Sequence, residues 1–232
     1  MPYILSVALP SKFQPKWQVL DKTKGDRKAL RLQMAGDADD TAWDPEYGLQ
    51  LFEGVRADPA MMARRARKLS KHKLYDGING PWDYSVSQAF VDLVEELEPG
   101  VHQWLRWELE DADGEPIETP IYAMNICNRV DAIRAEESTM TRIDKGDRDF
   151  IYGYMPPPSI KVDLGGEVDI RSPAGRGGRF CVDAETVDGM ALWADMRSRK
   201  QVFCSDALWA GIEKRKLKGF DRGDFGVYVE AI

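Results

Sequence analysis

The side chains best suited to chemistry in this chain are two histidines, His72 and His102. An imidazole can act as a general base or bind a metal ion. Neither histidine belongs to an HExxH, HxH or Cys/His spacing, so the pattern does not favour a zinc site. A Ser-His-Asp or Cys-His pair stays open because such partners meet only in the fold, although no GxSxG motif supports one. We therefore expect His102 to be a strand residue with a hydrogen-bonded ring.

The next candidates are three cysteines, Cys127, Cys181 and Cys204. They are widely spaced and form no CxxC motif, which excludes a disulfide framework and a zinc ribbon. Each follows an apolar residue in the sequence. A buried thiol that packs as a small hydrophobic group is the expected role.

Two polar segments resemble ligand loops but lack the required pattern. The Gly- and Arg-rich segment 172–179 fits neither a P-loop nor a dinucleotide fingerprint, and no strong helix follows it. The carboxylates of Asp144, Asp147 and Asp149 alternate with cations and lack the length of a calcium-binding EF-hand loop. The sequence predicts no catalytic, cofactor-binding or metal-binding residue.

The charge balance argues against several classes of partner. The formal net charge is −7, with 31% charged and 43% hydrophobic residues. A negative surface disfavours nonspecific binding to nucleic acid or to an anionic membrane, and favours a basic partner or simply solubility. No apolar run approaches the roughly 18 residues that span a bilayer. Residues 1–7 predict a first strand and not a signal peptide, so we expect a cytoplasmic protein.

The dense positive charge lies in residues 64–73, within and after a helix predicted over 60–69 with Asp58 as its N-cap. One interpretation is a nucleic-acid surface, and the other is a solvated helix face. The absence of interleaved aromatic residues or a Gly-rich loop favours the solvated face.

An acidic loop with aromatic residues is the best sequence candidate for a protein-binding site. Exposed aromatic side chains among carboxylates anchor a basic partner, and the charge steers the encounter. Covering the edge of the core is the alternative role for these aromatic residues. The candidate partner-binding residues are Asp37, Asp39, Asp40, Trp43, Asp44 and Tyr47.

The elements that must position these residues indicate an α+β fold with mixed, mainly antiparallel sheets and a few packed helices. Ser85 and Gln88 form a predicted capping box before a helix that ends at Pro99-Gly100. A second helix follows the N-cap Ser205, with Gly219 as its predicted C-cap. We expect a loop-rich lobe with short strands and one basic helix over 1–80 and an α+β domain over 81–232, or one continuous domain.

Three segments in this order resemble a known family. They are the helix that opens at Ser85-Val86-Ser87, the strand and turn over 122–133 with Ser138, and the closing unit 192–220 with Leu192-Trp193 and Phe203-Cys204-Ser205. Together they resemble the immunity-protein domain of bacterial polymorphic toxin systems that is numbered eleventh in its series. The resemblance covers roughly residues 80–230, and the first lobe matches only loosely. It implies a non-enzymatic cytoplasmic protein that neutralises a cognate toxin by direct binding, and it supplies no catalytic residue.

The leading hypothesis is therefore an immunity protein that binds a toxin with a basic surface. A small hydrolase or transferase that uses His102 or a cysteine is the alternative from another class. A nucleic-acid-binding module built on residues 64–73 is a third. The sequence does not indicate an oligomeric state.

Overall fold

The computed structural model describes residues 2–7, 15–21, 54, 56, 59, 64–81, 83–134, 136–138, 141–144, 149–152, 168–170, 179–222 and 228–232. Its helices are α1 (Gln88–Leu97) and α2 (Asp206–Arg215). The strands up to residue 125 are β1 (Tyr3–Val7), β2 (Trp17–Val19), β3 (Arg65–Lys68), β4 (Gly77–Gly80), β5 (Asp83–Ser87), β6 (Gln103–Arg106), β7 (Glu108–Glu110) and β8 (Ile121–Asn125). The later strands are β9 (Arg129–Val130), β10 (Thr141–Asp144), β11 (Asp149–Tyr152), β12 (Val168–Ile170), β13 (Arg179–Val182), β14 (Leu192–Asp195), β15 (Ser198–Cys204), β16 (Phe220–Arg222) and β17 (Tyr228–Ala231). Helices beside mixed sheets confirm the predicted α+β class.

The chain divides into two compact units that are discontinuous in sequence. Unit one comprises residues 1–6, 128–210 and 221–232, and unit two comprises 7–127 and 211–220. The boundary predicted after residue 80 lies inside unit two, between the paired strands β4 and β5. As a statement about separately folding domains, that boundary stays a prediction.

Unit one is built on a five-stranded sheet in the order β16-β1-β15-β14-β9, accompanied by the parallel pair β13-β17 and the small sheet β11-β10-β12. Its apolar core is aromatic at the centre. Trp193 of β14 stacks on Phe203 of β15 with ring centroids 5.8 Å apart, and Phe180 meets Phe203 edge-on at 5.5 Å. All three side chains are buried. Leu192 and Trp193, which open the closing unit of the family resemblance, therefore lie on a strand of the core.

Unit two contains the sheets β2-β3-β7 and β4-β5-β8-β6. A shared core cluster holds Ala66 and Leu109 from the first sheet together with Ile78, Leu105 and Ala123 from the second. On cross-strand register, Ile78 and Ala123 both pair with Ser85, so they lie on one face of the second sheet. Apolar alternation in short strands thus buries one face of each sheet in a common core.

The N-cap of helix α1 lies two residues after Ser85, the residue that the predicted capping box assigns to it. Ser85 lies on β5, and the N-cap is Ser87, whose Oγ accepts from the Phe90 N–H at 3.4 Å and donates to Asp76 Oδ1 at 2.8 Å. The buried helix face includes Phe90, whereas Leu97 at the C-terminal end is 39% exposed.

Helix α2 begins where the sequence predicts, but its C-terminal capping residue is a different one. Ser205 Oγ accepts from the Leu208 N–H at 3.2 Å, which confirms the N-cap. At the other end Lys216 adopts φ 55°, and the N–H of Leu217 reaches the carbonyl of Ile212 at 3.0 Å, the pattern of a Schellman motif. Lys216 therefore holds the left-handed position that we assigned to Gly219.

The predicted basic helix over 60–69 is wrong at residues 65–68, which form β3. This strand pairs antiparallel with β2 and parallel with β7, and it buries Ala66 completely. Pairing partners on both sides, distant in sequence, outweigh the local helical preference.

Candidate protein-binding surfaces and a buried histidine

The predicted partner-binding residues Asp37, Asp39, Asp40, Trp43, Asp44 and Tyr47 lie outside the described residues. Their assignment to an interface stays a prediction. Candidate sites in the described part of the chain must be built from other residues.

His102 lies just after α1 and is only 2% exposed. Its Nε2 is 3.0 Å from Glu98 Oε2, and its Nδ1 accepts from the backbone N–H of Cys127 at 3.2 Å. Because Nδ1 accepts a hydrogen bond, the ring proton belongs on Nε2, where it is donated to the carboxylate. Glu98 is the C-cap of α1, and the turn after it brings His102, four residues later, back to the Glu98 carboxylate. The imidazole links the end of α1 to the segment after β8.

The arrangement around Cys127 does not provide an activated nucleophile. The lone pair of His102 already accepts from a backbone N–H, so the ring offers no base to the thiol. Partial burial raises the pKa of Cys127, whereas reactive cysteines have a lowered pKa. The thiol donates to the carbonyl of Asn125 at 3.6 Å. The sequence left a Cys-His pair open. His102 and Cys127 do meet, but through the backbone N–H of Cys127 and not through its thiol.

The other two cysteines behave as the sequence predicts. Cys181 and Cys204 are buried, and burial raises the pKa of each thiol. All three cysteines are free. In the described ranges, no group of three or more His, Cys, Asp and Glu side chains is arranged to hold a metal ion. Within the same ranges, neither helix has the length and hydropathy to cross a bilayer.

The basic strand β3 is matched by carboxylates on β7. Arg67 Nη2 lies 2.8 Å from Glu110 Oε2, and Arg65 Nη2 lies 3.1 Å from Glu110 Oε1. The hydrogen bond from Arg67 is the largest cause that lowers the pKa of the Glu110 carboxyl. These guanidinium groups are neutralised within the protein, which argues against a nucleic-acid surface on this strand.

An ordered acidic hairpin follows β7 in unit two. Asp111 Oδ1 accepts from the backbone N–H groups of Asp113 and Glu115, at 2.9 and 3.0 Å, and so fixes the turn. The exposed carboxylates of Glu108 and Glu118 flank it. This hairpin is one negative surface that the structure describes.

A second negative surface, with an apolar centre, lies in unit one at the turn between β14 and β15. Met196 is 51% exposed there. Arg197 pairs with Asp131 through Nε–Oδ1 at 2.5 Å and Nη2–Oδ2 at 3.0 Å. We call this surface the Met196 edge, and its residues are Val130, Asp131, Arg134, Asp183, Glu185, Val187, Asp188, Met196 and Arg197.

Asp195 fixes the backbone of the Met196 edge from within. The carboxylate is 1% exposed, and its Oδ2 accepts from the N–H groups of Ala132 and Ile133 at 2.8 and 3.0 Å. Its Oδ1 accepts from the N–H of Arg197 at 2.8 Å. Burial raises the pKa of this carboxyl, and the hydrogen bonds oppose that effect. Sequence analysis missed Asp195, although a carboxylate that ends an apolar strand before Met-Arg-Ser is the signal that marks it.

The comparisons with known proteins give one result. The model of an immunity protein family, Imm11, matches residues 51–227, about three quarters of the chain. The match begins at residue 51, so it also covers part of the first lobe, which the resemblance in the sequence matched only loosely. No curated protein matches the chain.

Proposed function

This chain belongs to the Imm11 immunity protein family, and from that premise we propose that it protects a bacterial cell by binding and neutralising a cognate toxin. The observation that carries the proposal is the family match over residues 51–227. The proposed action is non-enzymatic and takes place in the cytoplasm, where the toxin domain acts. The chain occludes the toxin by covering part of its surface.

Charge supports a basic toxin as the partner. The formal net charge is −7, and the described residues include a negative surface with an apolar centre, the Met196 edge. Complementary charge raises the association rate and selects among partners. Because the toxin must be bound before it acts, the complex needs a high association rate and a low dissociation rate.

A stable complex with a toxin requires a large contact area and a few strong anchors on this chain. A complex with nanomolar affinity needs about 12 kcal/mol of binding free energy. Such complexes bury about 800 Å² on each partner, with a few apolar or aromatic anchors at the centre. Each unit of the chain has its own apolar core, so each is able to hold such anchors in place.

The alternative, a small hydrolase or transferase, has its best candidate group in His102. Both ring nitrogens of His102 are engaged in hydrogen bonds to Glu98 and Cys127. A general base must have a lone pair within reach of a substrate proton, and a ring that is 2% exposed does not offer one. This geometry favours the binding hypothesis over the enzymatic one.

The experiment tests whether the neighbouring reading frame encodes the toxin, whose C-terminal domain is purified and also expressed under an inducible promoter. Co-expression of the chain is expected to restore growth, and the purified proteins are expected to bind. A titration separates the two classes of mechanism, because a binder protects only up to a fixed stoichiometry and an enzyme protects at a small molar fraction. Leu192→Asp places a carboxylate in the core of unit one and should unfold it. Loss of protection by this control variant would show that protection needs the folded chain.

Two results would overturn the proposal. One is no rescue and no binding by a correctly folded chain. The other is full protection at a chain-to-toxin ratio far below one, which would indicate turnover.

A further inference from the structure

The turn at Met196 is held more firmly than an exposed turn requires. Asp195 accepts one backbone N–H bond from Arg197 within the turn and two from Ala132 and Ile133 in the separate segment after β9. The N–H of Met196 itself donates to the carbonyl of Val130 at 2.8 Å. The Arg197–Asp131 ion pair closes the outer side. The result is an apolar side chain that projects into solvent from a fixed backbone.

Burying a carboxylate is a costly way to fix a turn. A desolvated charge loses its hydration, and its hydrogen bonds only partly offset that loss. An apolar residue at this strand end would add to the core without that cost. What the buried carboxylate provides is a rigid backbone on the segments beside Met196. A surface that is already rigid loses less conformational entropy when it binds a partner.

The surroundings of Met196 have the composition of a binding surface. Val130 and Val187 are half-buried residues that pack on the core of unit one, and they extend the apolar area. The Ala132 N–H donates to Asp195 Oδ2, and the Ala132 carbonyl accepts from the N–H of Asp183. These steps place the turn over 183–189 within roughly 10–15 Å of Met196, about two to three strand spacings.

The charge of the edge is negative. The carboxylates of Asp131 and Asp183 pair with Arg197 and Arg134. Glu185 and Asp188 are exposed on the adjacent turn and have no ion-pair partner among the described residues. Four carboxylates thus stand against two guanidinium groups around an apolar centre.

We propose that the Met196 edge is the docking surface for the toxin, with Met196 as an anchor in an apolar pocket of a toxin surface that is otherwise basic. This inference rests on the proposed function and adds the location of the interface. Apolar burial at Met196 slows dissociation, and Glu185 and Asp188 speed association.

The test measures binding kinetics between the full chain and the purified C-terminal domain of the neighbouring reading frame. Met196→Ala is expected to raise Kd at least about 10-fold, mainly through a faster dissociation rate. The double variant Glu185→Lys/Asp188→Lys is expected to lower the association rate about 10-fold at low salt, and the difference should shrink at 0.5 M salt.

Matched controls come from unit two. Leu69 is also 51% exposed, so Leu69→Ala removes an equally accessible apolar side chain. Asp113→Lys/Glu118→Lys makes the same charge change on the acidic hairpin after β7. Near-ultraviolet circular dichroism checks that every variant is folded, and each control is expected to stay within about twofold of the wild type.

The outcomes separate this inference from the proposed function. If the wild type binds and the Met196-edge variants bind equally well, the inference is wrong and the proposed function stands. Loss of binding in the controls alone moves the interface to unit two and also contradicts it. If the folded wild type does not bind at all, both fail.

Discussion

Gly219 approaches the backbone of Gly77 so closely that a Cβ on Gly219 would lie 2.1 Å from the Gly77 carbonyl oxygen. The contact is sealed by a hydrogen bond from the Gly77 N–H to the carbonyl of Lys218 at 2.9 Å. Gly219 also has φ 95°, a conformation that side chains disfavour. The segment after α2 is thereby held against β4.

Gly219→Ala should therefore lower the free energy of unfolding by about 3 kcal/mol or more, because backbone strain and a steric clash add together. Gly189→Ala is the matched control. It has φ 73° but no atom within 4 Å of the added Cβ, so it should cost only about 1–2 kcal/mol. Urea unfolding of both variants measures the difference. Equal losses would show that the close approach to Gly77 contributes nothing.

The sequence predicted those elements whose signals are local. The N-cap Ser205 with the buried pair Leu208 and Ile212 is a complete helix signal within eight residues, and the structure confirms it. Short-range patterns of this kind need no knowledge of the partner strands.

The sequence predictions were wrong where pairing with residues distant in the sequence determines the secondary structure. Residues 65–68 form a strand because β7, about 40 residues later, pairs with them. Ser85 is drawn into β5 by pairing with Ala123, and its Oγ accepts from Trp107 Nε1 at 3.2 Å, so the helix begins after it. Neither contact is visible in a local window.

The candidate site was harder to predict than the fold. The Met196 edge gathers residues 130–134, 183–188 and 195–197, which are separate in sequence and carry no shared motif. Surfaces that bind proteins are defined by such convergence and not by spacing. The acidic loop with Trp43 and Tyr47, in contrast, is visible in the sequence, and its role stays a prediction.

His102→Asn tests the enzymatic alternative. The change removes the contact with the buried Glu98 carboxylate, and we expect the free energy of unfolding to fall by about 2–3 kcal/mol. At a temperature where the variant is folded, it should neutralise the toxin at the same chain-to-toxin ratio as the wild type. Cys127→Ser, which changes only the half-buried thiol, should also protect fully. Loss of protection by either folded variant would favour a catalytic role.

Asp183 should make the protein sensitive to acid. Hydrogen bonds from the Thr186 N–H and hydroxyl, with help from Arg134, lower the pKa of its carboxyl from 3.8 to about 2. Because the folded-state pKa is depressed, the stabilisation is fully present above the unfolded value and is lost as the pH falls from about 4 to about 2. Asp183→Asn should be less stable than the wild type at pH 7, and this difference should shrink over that interval. Urea unfolding at pH 7, 4 and 3 measures it.

Thr186→Val is the companion variant for Asp183. It removes the hydroxyl donor and keeps the backbone N–H, so the pKa of Asp183 should rise only part of the way towards 3.8. A titration followed by NMR gives that pKa directly. An unchanged pKa in Thr186→Val would contradict the assigned cause.

Asp195→Asn should loosen the turn that carries Met196. The carboxylate serves three backbone donors with two oxygens, whereas an amide keeps one oxygen and turns an NH₂ group towards the remaining donors. At least one buried N–H loses its acceptor, and we expect a loss of about 2–4 kcal/mol in the free energy of unfolding. Hydrogen exchange of residues 132, 133 and 197 should become faster. Unchanged exchange would mean that the carboxylate does not fix this backbone.

The pH dependence and the binding of Asp195→Asn separate positioning from general stability. Burial raises the folded-state pKa of Asp195, so the folded protein binds the proton more readily than the unfolded chain. Wild-type stability should therefore decline as the pH rises from about 4 through the folded pKa, and the variant should lack this decline. If Asp195 acts by holding Met196 in place, the folded variant should bind the toxin as weakly as Met196→Ala, and combining the two changes should weaken binding little further. Additive losses of affinity would show instead that Asp195 stabilises unit one without positioning its anchor.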